Sequence, residues 1–267
     1  MAGGGGEGFF GRSVPPAAGA CGLMRGAGSK GCTGALSGQH RDDAMTEAVI
    51  FDVDGTLVDS VDLHAKAWQD ALRDFGHEVG FQAVREQIGK GGDQLMPVFL
   101  SPDELAARGE ELETYRGKVM KERYAPDIRG FPGVRDLFLR LREDGVRIAL
   151  ASSAKAEELQ NYKRIAGIED LVDAETSSDD AEKSKPFPDI FQAALARLEG
   201  VDPSAVIVVG DTPYDAEAAV KAGLRPVGVL CGGFPEEWLR KAGCVAVYDG
   251  PADMLARYEG SLLSRQG

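Results

Sequence analysis

Ala48-Val49-Ile50-Phe51-Asp52 is a short apolar run that ends in an acid, and two later stretches repeat its design. Val146-Arg147-Ile148-Ala149-Leu150-Ala151 runs into Ser152-Ser153, and Ala205-Val206-Ile207-Val208-Val209 runs into Gly210-Asp211. Val227-Gly228-Val229-Leu230 and Val245-Ala246-Val247-Tyr248 follow. Runs that are apolar without alternation suit strands buried on both faces, as in parallel sheets. Helical periods lie between them. Val134, Leu137, Phe138 and Leu141 recur at helical spacing up to a stop at Gly145, and Ile190, Phe191, Ala194, Leu195 and Leu198 repeat it after Pro188. Alternating strands and helices predict an α/β fold, a Rossmann-like parallel sheet covered by helices on both faces.

One segment breaks the alternation. From Val61 to about residue 125 the pattern is helical only, including Leu63, His64, Ala67, Trp68, Ala71, Leu72 and Phe75 and the charged stretch Pro102 to Tyr124. An insert between the first and second strands lies over the strand C-termini, where α/β sheets bind ligands. The expected organisation is therefore a core of residues 45–60 and 126–267 with an inserted all-helical cap domain at 61–125.

Residues 1–44 differ from the rest. Thirteen of them are glycine, and no apolar run is long enough to bury, so a disordered Gly-rich tail is expected. No charged start followed by an apolar run marks a secretory signal. Arg12, Arg25, Lys30 and Arg41 outnumber Glu7, Asp42 and Asp43, as in transit peptides, yet no amphipathic helix emerges. A natural start at Met45, with the tail from an upstream start choice, is the favoured expectation.

The net charge of −13 argues against a nucleic-acid partner, which needs clustered Lys and Arg. No stretch has the roughly 20 continuous apolar residues of a membrane span. Cys21, Cys32, Cys231 and Cys244 show neither metal-ligand spacing nor a disulfide framework, which suits a reducing cytoplasm. A cytoplasmic protein, monomer or homodimer, is expected. An acidic protein that binds a phosphorylated metabolite must supply local positive charge, as lysine and a divalent cation.

The ends of successive strands are expected to carry Asp52 and Asp54, then Ser152, then Lys185, then Asp211 and Asp215, converging at one rim of the sheet. Singly, each has an ordinary explanation. An acid at a strand end caps a turn or helix, Ser152 suits a cap for a helix near Lys155, and Asp211-Thr212-Pro213 suits a helix start. Together they fit phosphoryl transfer: a carboxylate nucleophile, a hard oxygen-liganded Mg²⁺, and a lysine and hydroxyl on the phosphoryl oxygens.

Phe51-Asp52-Val53-Asp54-Gly55-Thr56-Leu57-Val58-Asp59-Ser60 resembles the signature of the haloacid dehalogenase-like superfamily. Ala149-Leu150-Ala151-Ser152, Lys185-Pro186-Phe187-Pro188-Asp189 and Gly210-Asp211-Thr212-Pro213-Tyr214-Asp215 are similar to its second, third and fourth motifs. The resemblance covers about Met45 to Tyr258, and the helical insert resembles the cap of the phosphoglycolate phosphatase and β-phosphoglucomutase branch. It implies Asp52 as nucleophile and metal ligand, and Asp54 as acid/base with its backbone carbonyl on Mg²⁺. It further implies Ser152 and Lys185 on phosphate, Asp211 on Mg²⁺, and Asp215 as a ligand or its hydrogen-bond partner. Gly55, Thr56 and Ser153 flank these residues and join the phosphate-binding candidates.

An aspartate at position 54 disfavours the family's C–halogen chemistry. His64 stands where the mutase has a cap-hinge histidine, with a packed helix-face histidine as the alternative. In place of the mutase's loop arginine, Gly89-Lys90-Gly91-Gly92-Asp93 offers Lys90 as a substrate contact, with a flexible connection as the alternative and Asp93 as a helix cap. Lys118 and Arg123 are further candidates. The expected activity is hydrolysis of a small sugar or polyol phosphate through an aspartyl-phosphate. A phosphosugar mutase and a phospho-accepting regulatory domain without ester turnover are the alternatives. Specificity is expected from the cap and from rim loops such as Gly232-Gly233-Phe234.

Overall fold

The structure, a computed structural model, describes residues 45–265. The tail expected at 1–44 lies outside the described residues. The chain runs β1 (Ala48–Phe51), β2 (Val58–Asp59), α1 (Val61–Asp74), α2 (Phe81–Arg85), α3 (Gly92–Leu95), α4 (Pro102–Val119) and β3 (Arg129–Gly130). It continues through α5 (Val134–Glu143), β4 (Arg147–Ala151), α6 (Ala156–Ala166), β5 (Ala174–Thr176), α7 (Asp189–Arg197) and β6 (Val206–Gly210). The last elements are α8 (Pro213–Lys221), β7 (Arg225–Val229), α9 (Glu236–Ala242), β8 (Ala246–Tyr248) and α10 (Pro251–Ala256).

Six strands form a parallel sheet in the order β5-β4-β1-β6-β7-β8. β1 is central and fully buried, and its side chains divide between two cores. Val49 and Phe51 pack with Phe138, Ile148 and Leu150 on one face. Ala48 and Ile50 pack with Ala149, Phe191 and Val208 on the other. Apolar layers on both faces explain why the strand sequence shows no alternation.

The expected strands differ from the observed ones in detail. β7 begins at Arg225 rather than Val227 and ends at Val229. Proline near a strand start is hard to read as strand, but Pro226 still contributes its carbonyl, which accepts from Val245 N at 2.9 Å. β8 starts at Ala246, one residue later than expected. β5 was not expected at all: it is a partly exposed three-residue edge strand with no apolar run.

The insert leaves and re-enters through a short antiparallel ladder, β2 on β3, which pairs Val58 with Gly130 and Asp59 with Arg129. Between them the helices enclose their own apolar cluster of Val61, Trp68, Leu72, Val84, Leu95 and Leu112. Ser101 and Glu104 form a reciprocal capping box that opens α4, and the helix widens into a π-turn at Met120–Tyr124. The chain is thus a Rossmann-like core with a helical cap.

Leu72 is fully buried in the cap cluster. Leu72→Ala is expected to cost about 2–5 kcal/mol in urea denaturation; a change below about 0.5 kcal/mol would mean the cap does not unfold with the core.

Candidate active site

Parallel strands end on one side of a sheet, so neighbouring C-termini bring their next residues together. β1 delivers Asp52, β6 delivers Asp211, and the first turn of α8 delivers Asp215. One oxygen from each lies within 4.8 Å of the others, and all three residues are buried. Lys185 joins them from the loop before α7: its ammonium pairs with Asp52 Oδ1 and lies 2.8 Å from Asp215 Oδ1.

Each acid is positioned by local chemistry. Asp215 closes a capping box on α8. Its Oδ2 accepts from Thr212 N at 3.0 Å and Thr212 Oγ1 at 2.6 Å. The expected helix start at Thr212-Pro213 is therefore present, and the same turn serves the cluster. Thr56 Oγ1 lies 3.2 Å from Asp211 Oδ1 and 3.4 Å from Asp52 Oδ2. Gly55 sits at φ +77°, and a Cβ there would lie 2.3 Å from Asp211 Oδ2. Gly232 presses from the other side, where a Cβ would fall 1.8 Å from the same oxygen. Glycine is required at both approaches.

The cluster buries three carboxylates against one lysine. Burial pushes the Asp52 carboxyl up to about 7, with Asp215 and Asp54 adding to the rise against the pull of Lys185. Burial also raises Asp211 well above the carboxylate range, with Asp215 and Asp52 reinforcing it. Lys185 is raised despite burial by the charges of Asp215 and Asp52. Asp211 Oδ2 is buried with no hydrogen-bond partner. An all-oxygen set with surplus negative charge and an orphaned carboxylate oxygen fits a hard divalent cation.

Asp54 stands apart from this set. Ser60 Oγ donates to its Oδ1 at 2.6 Å, and His64 Nε2 lies 3.0 Å from the same oxygen. Burial would raise this carboxyl, but the charge and hydrogen bond of His64 and the bond from Ser60 hold it below the usual range. Tyr162 Oη, contributed by α6, lies 3.2 Å from the same His64 Nε2. His64 is thus placed on the acid, where the sequence left a packed helix-face histidine open.

Asp52, Asp54 and His64 open into a cavity of about 1280 Å³ whose other lining includes Lys90, Arg116 and Ser153. Ser152 is fully buried, and its Oγ accepts from Ala154 N at 3.0 Å. Ser152, expected on phosphate with a helix cap near Lys155 as the alternative, closes a tight turn just before α6, and the N-cap of that helix is Lys155. Lys90 Nζ donates to Gln87 Oε1 at 2.6 Å and sits 4.6 Å from the Tyr214 ring centroid. Asp93 does not cap α3, which starts after Gly91; it accepts from Ser184, the residue before Lys185. Lys118 lies in a separate groove beside Asp74 and Tyr115, and Arg123 pairs with Asp70 at 3.2 Å. Ser60, Trp68, Tyr162, Arg85 and Arg116 went unassigned in the sequence. Arg85 ties the cap to the rim loop, its Nη2 donating to Gly232 O at 2.8 Å.

With this fold and site, the chain belongs to the haloacid dehalogenase-like hydrolase family, whose model matches residues 49–229. It is an enzyme of that hydrolase family. A phosphoglycolate phosphatase of Cereibacter sphaeroides is 35% identical over 191 residues, covering 66% of this chain and 82% of that one. A phosphorylated carbohydrates phosphatase of Thermotoga maritima is 28% identical over 205 residues, covering 75% and 93%. Among solved structures, a hydrolase from Pseudomonas syringae superposes with a TM-score of 0.73 at 26% identity, covering 80% of this chain and 98% of that one. Among the described residues, no helix is long and apolar enough to cross a membrane. Cys231 and Cys244 are free thiols.

The raised Asp52 gives the cation-free protein a defined pH dependence. Between about pH 4 and pH 7 the folded state keeps a proton that the unfolded chain has released. Stability without metal is therefore expected to fall as pH rises through that window, and Asp52→Asn to flatten the slope. Millimolar Mg²⁺ at pH 7 is expected to restore stability. Urea denaturation across pH checks all three, and a wild-type slope equal to that of Asp52→Asn would refute the assignment.

Proposed function

We propose that the enzyme is a Mg²⁺-dependent phosphatase that hydrolyses a small phosphomonoester of the sugar or polyol type through an aspartyl-phosphate on Asp52. The observation that carries this reading is one buried floor of Asp52, Lys185, Asp211 and Asp215, with Asp54 beside it on hydrogen bonds from Ser60 and contact with His64. The names of the relatives, phosphatases of phosphoglycolate and of phosphorylated carbohydrates, support the same chemistry.

Asp52, Asp211 and Asp215 would hold the Mg²⁺, which when bound offsets the repulsion between the nucleophile and an anionic phosphate. Asp52 attacks phosphorus, and the bond to the ester oxygen breaks. Lys185 opposes protonation of the nucleophile and is placed to neutralise a phosphoryl oxygen. Asp54 gives its proton to the leaving oxygen, and His64, 3.0 Å away, is placed to hold the carboxylate that results. A water then loses a proton to Asp54 and attacks phosphorus, breaking the Asp52–phosphorus bond and releasing inorganic phosphate. Asp54 enters this second step as a carboxylate, the form that its neighbours favour. Ser152 and Ser153 would supply hydroxyls for phosphoryl contact, and Thr56 orders the floor.

Asp52→Asn is expected to lower phosphate release from p-nitrophenyl phosphate by on the order of 10⁴-fold while the circular dichroism spectrum is kept. Acid quenching of the wild type during turnover should leave a phosphate adduct on the peptide carrying Asp52. Conversion of β-glucose 1-phosphate to an isomer would identify a mutase, and a stable adduct without turnover a regulatory acceptor. Near-normal release by Asp52→Asn would end the reading.

A further inference from the structure

Ser184 is the residue before Lys185, and the cap holds it through two of its own residues. Asp93 Oδ2, on α3, accepts from Ser184 N at 3.2 Å, and Ser184 Oγ donates to Asp93 Oδ1. The same Ser184 Oγ accepts from Gly91 N at 2.9 Å. A Cβ on Gly91 would lie 2.6 Å from Ser184 Cβ, so the approach of the cap loop depends on glycine. The neighbours of Ser184 are anchored within the core instead. Lys183 N donates to Asp189 Oδ1 at 3.1 Å, Phe187 N to Ser184 O at 3.0 Å, and Lys221 Nζ to Pro186 O at 2.7 Å. Ser184 is the point of this turn whose amide is bonded from core to cap.

Lys185 is 1% exposed, and its ammonium is held by Asp52 and Asp215. A phosphoryl group arriving at Asp52 competes for that ammonium. During turnover the lysine then depends on its backbone for a fixed origin, and small displacements of a reacting constellation are costly. The bonds from Asp93 and Gly91 fix that origin from one residue away. We infer that Asp93 is a positioning residue for Lys185: through Ser184 it anchors the backbone that carries the lysine, so that docking of the cap loop and alignment of the lysine are one event. The inference rests on the phosphatase reading for what Lys185 does, and goes beyond it in naming what orients Lys185. Asp93 is exposed, so its replacement strands no buried charge and the fold is expected to survive.

The test reads Lys185 directly. The full chain, wild type and Asp93→Ala, is labelled with trace acetic anhydride in the absence of metal and substrate, and acetylation of Lys185 is compared with that of Lys163 by mass spectrometry. Lys163 is 9% exposed and pairs with Glu175 at 2.6 Å away from the site, so it reports general opening. Asp93→Ala is expected to raise the Lys185-to-Lys163 ratio about tenfold or more. Gly91→Ala, which presses on Ser184 and leaves the carboxylate in place, is expected to raise it as well. With Mg²⁺ and p-nitrophenyl phosphate, Asp93→Ala is expected to lower kcat about 10- to 100-fold with KM kept within about threefold. Asp93→Asn, which keeps one acceptor, is expected to fall between the two. Adding Ser184→Ala to Asp93→Ala is expected to lower kcat by no more than about a further twofold, because both act on one contact. A labelling ratio unchanged within about twofold in Asp93→Ala, or a raised ratio with unchanged kcat, overturns the inference; wild-type turnover that Asp52→Asn abolishes leaves the phosphatase reading standing in that case. A raised ratio in a protein whose wild type releases phosphate from no ester retains the anchoring of Lys185 by Asp93 and removes the phosphatase.

Discussion

Three buried carboxylates share one lysine, and the rest of the site is arranged around that imbalance. Asp52, Asp211 and Asp215 are each under a tenth exposed, and Lys185 neutralises only part of their charge. In a low-dielectric interior such a surplus is costly, and the raised Asp52 and Asp211 carboxyls are its direct expression. A hydrophobic core cannot relieve it. A divalent cation among the three carboxylates would, since its charge offsets the surplus that Lys185 leaves.

The parallel sheet makes this cluster reachable from three distant stretches of sequence. Central β1 lies between β4 and β6, so Asp52 and Asp211 emerge side by side at the sheet edge. The backbone must then come unusually close to a charged oxygen. Gly55 and Gly232, far apart in sequence, flank Asp211 Oδ2, and neither approach tolerates a Cβ. The loop carrying Gly232 is in turn gripped by Arg85 from the cap. A cap residue thereby contacts the loop that touches the acid, without approaching the acid itself.

What was legible in the sequence follows from how local each cause is. The strand runs are clear because β1, β4 and β6 are buried on both faces, and the polar residues that follow them are legible from that. β5 was missed because an edge strand with Glu175 at its middle has no apolar signature. Lys118 and Arg123 were reasonable candidates by charge alone, but helical phase decides which cation faces the cavity. Arg116, two residues from Lys118, points to a different side of α4. Trp68 beneath Arg116 and Tyr162 beside His64 come from separate elements, and no spacing along the chain announces either pair.

Ser60, His64 and Trp68 are spaced four residues apart, at the N-cap and along one stripe of α1. The first donates to Asp54, the second contacts it, and the third carries Arg116. A helix fixes such positions at about 6 Å per step. The spacing between the residues that touch Asp54 and the ring that carries Arg116 is consequently a property of α1. The same helix buries Val61, Ala65 and Leu72 in the cap cluster, so its placement is set by apolar packing that has no part in the chemistry. Substituting residues in that packing would move Ser60, His64 and Trp68 together, and with them the contacts to Asp54 and to Arg116. The surroundings of Asp54 and of Arg116 are mechanically joined through one helix, although the residues that touch each are different.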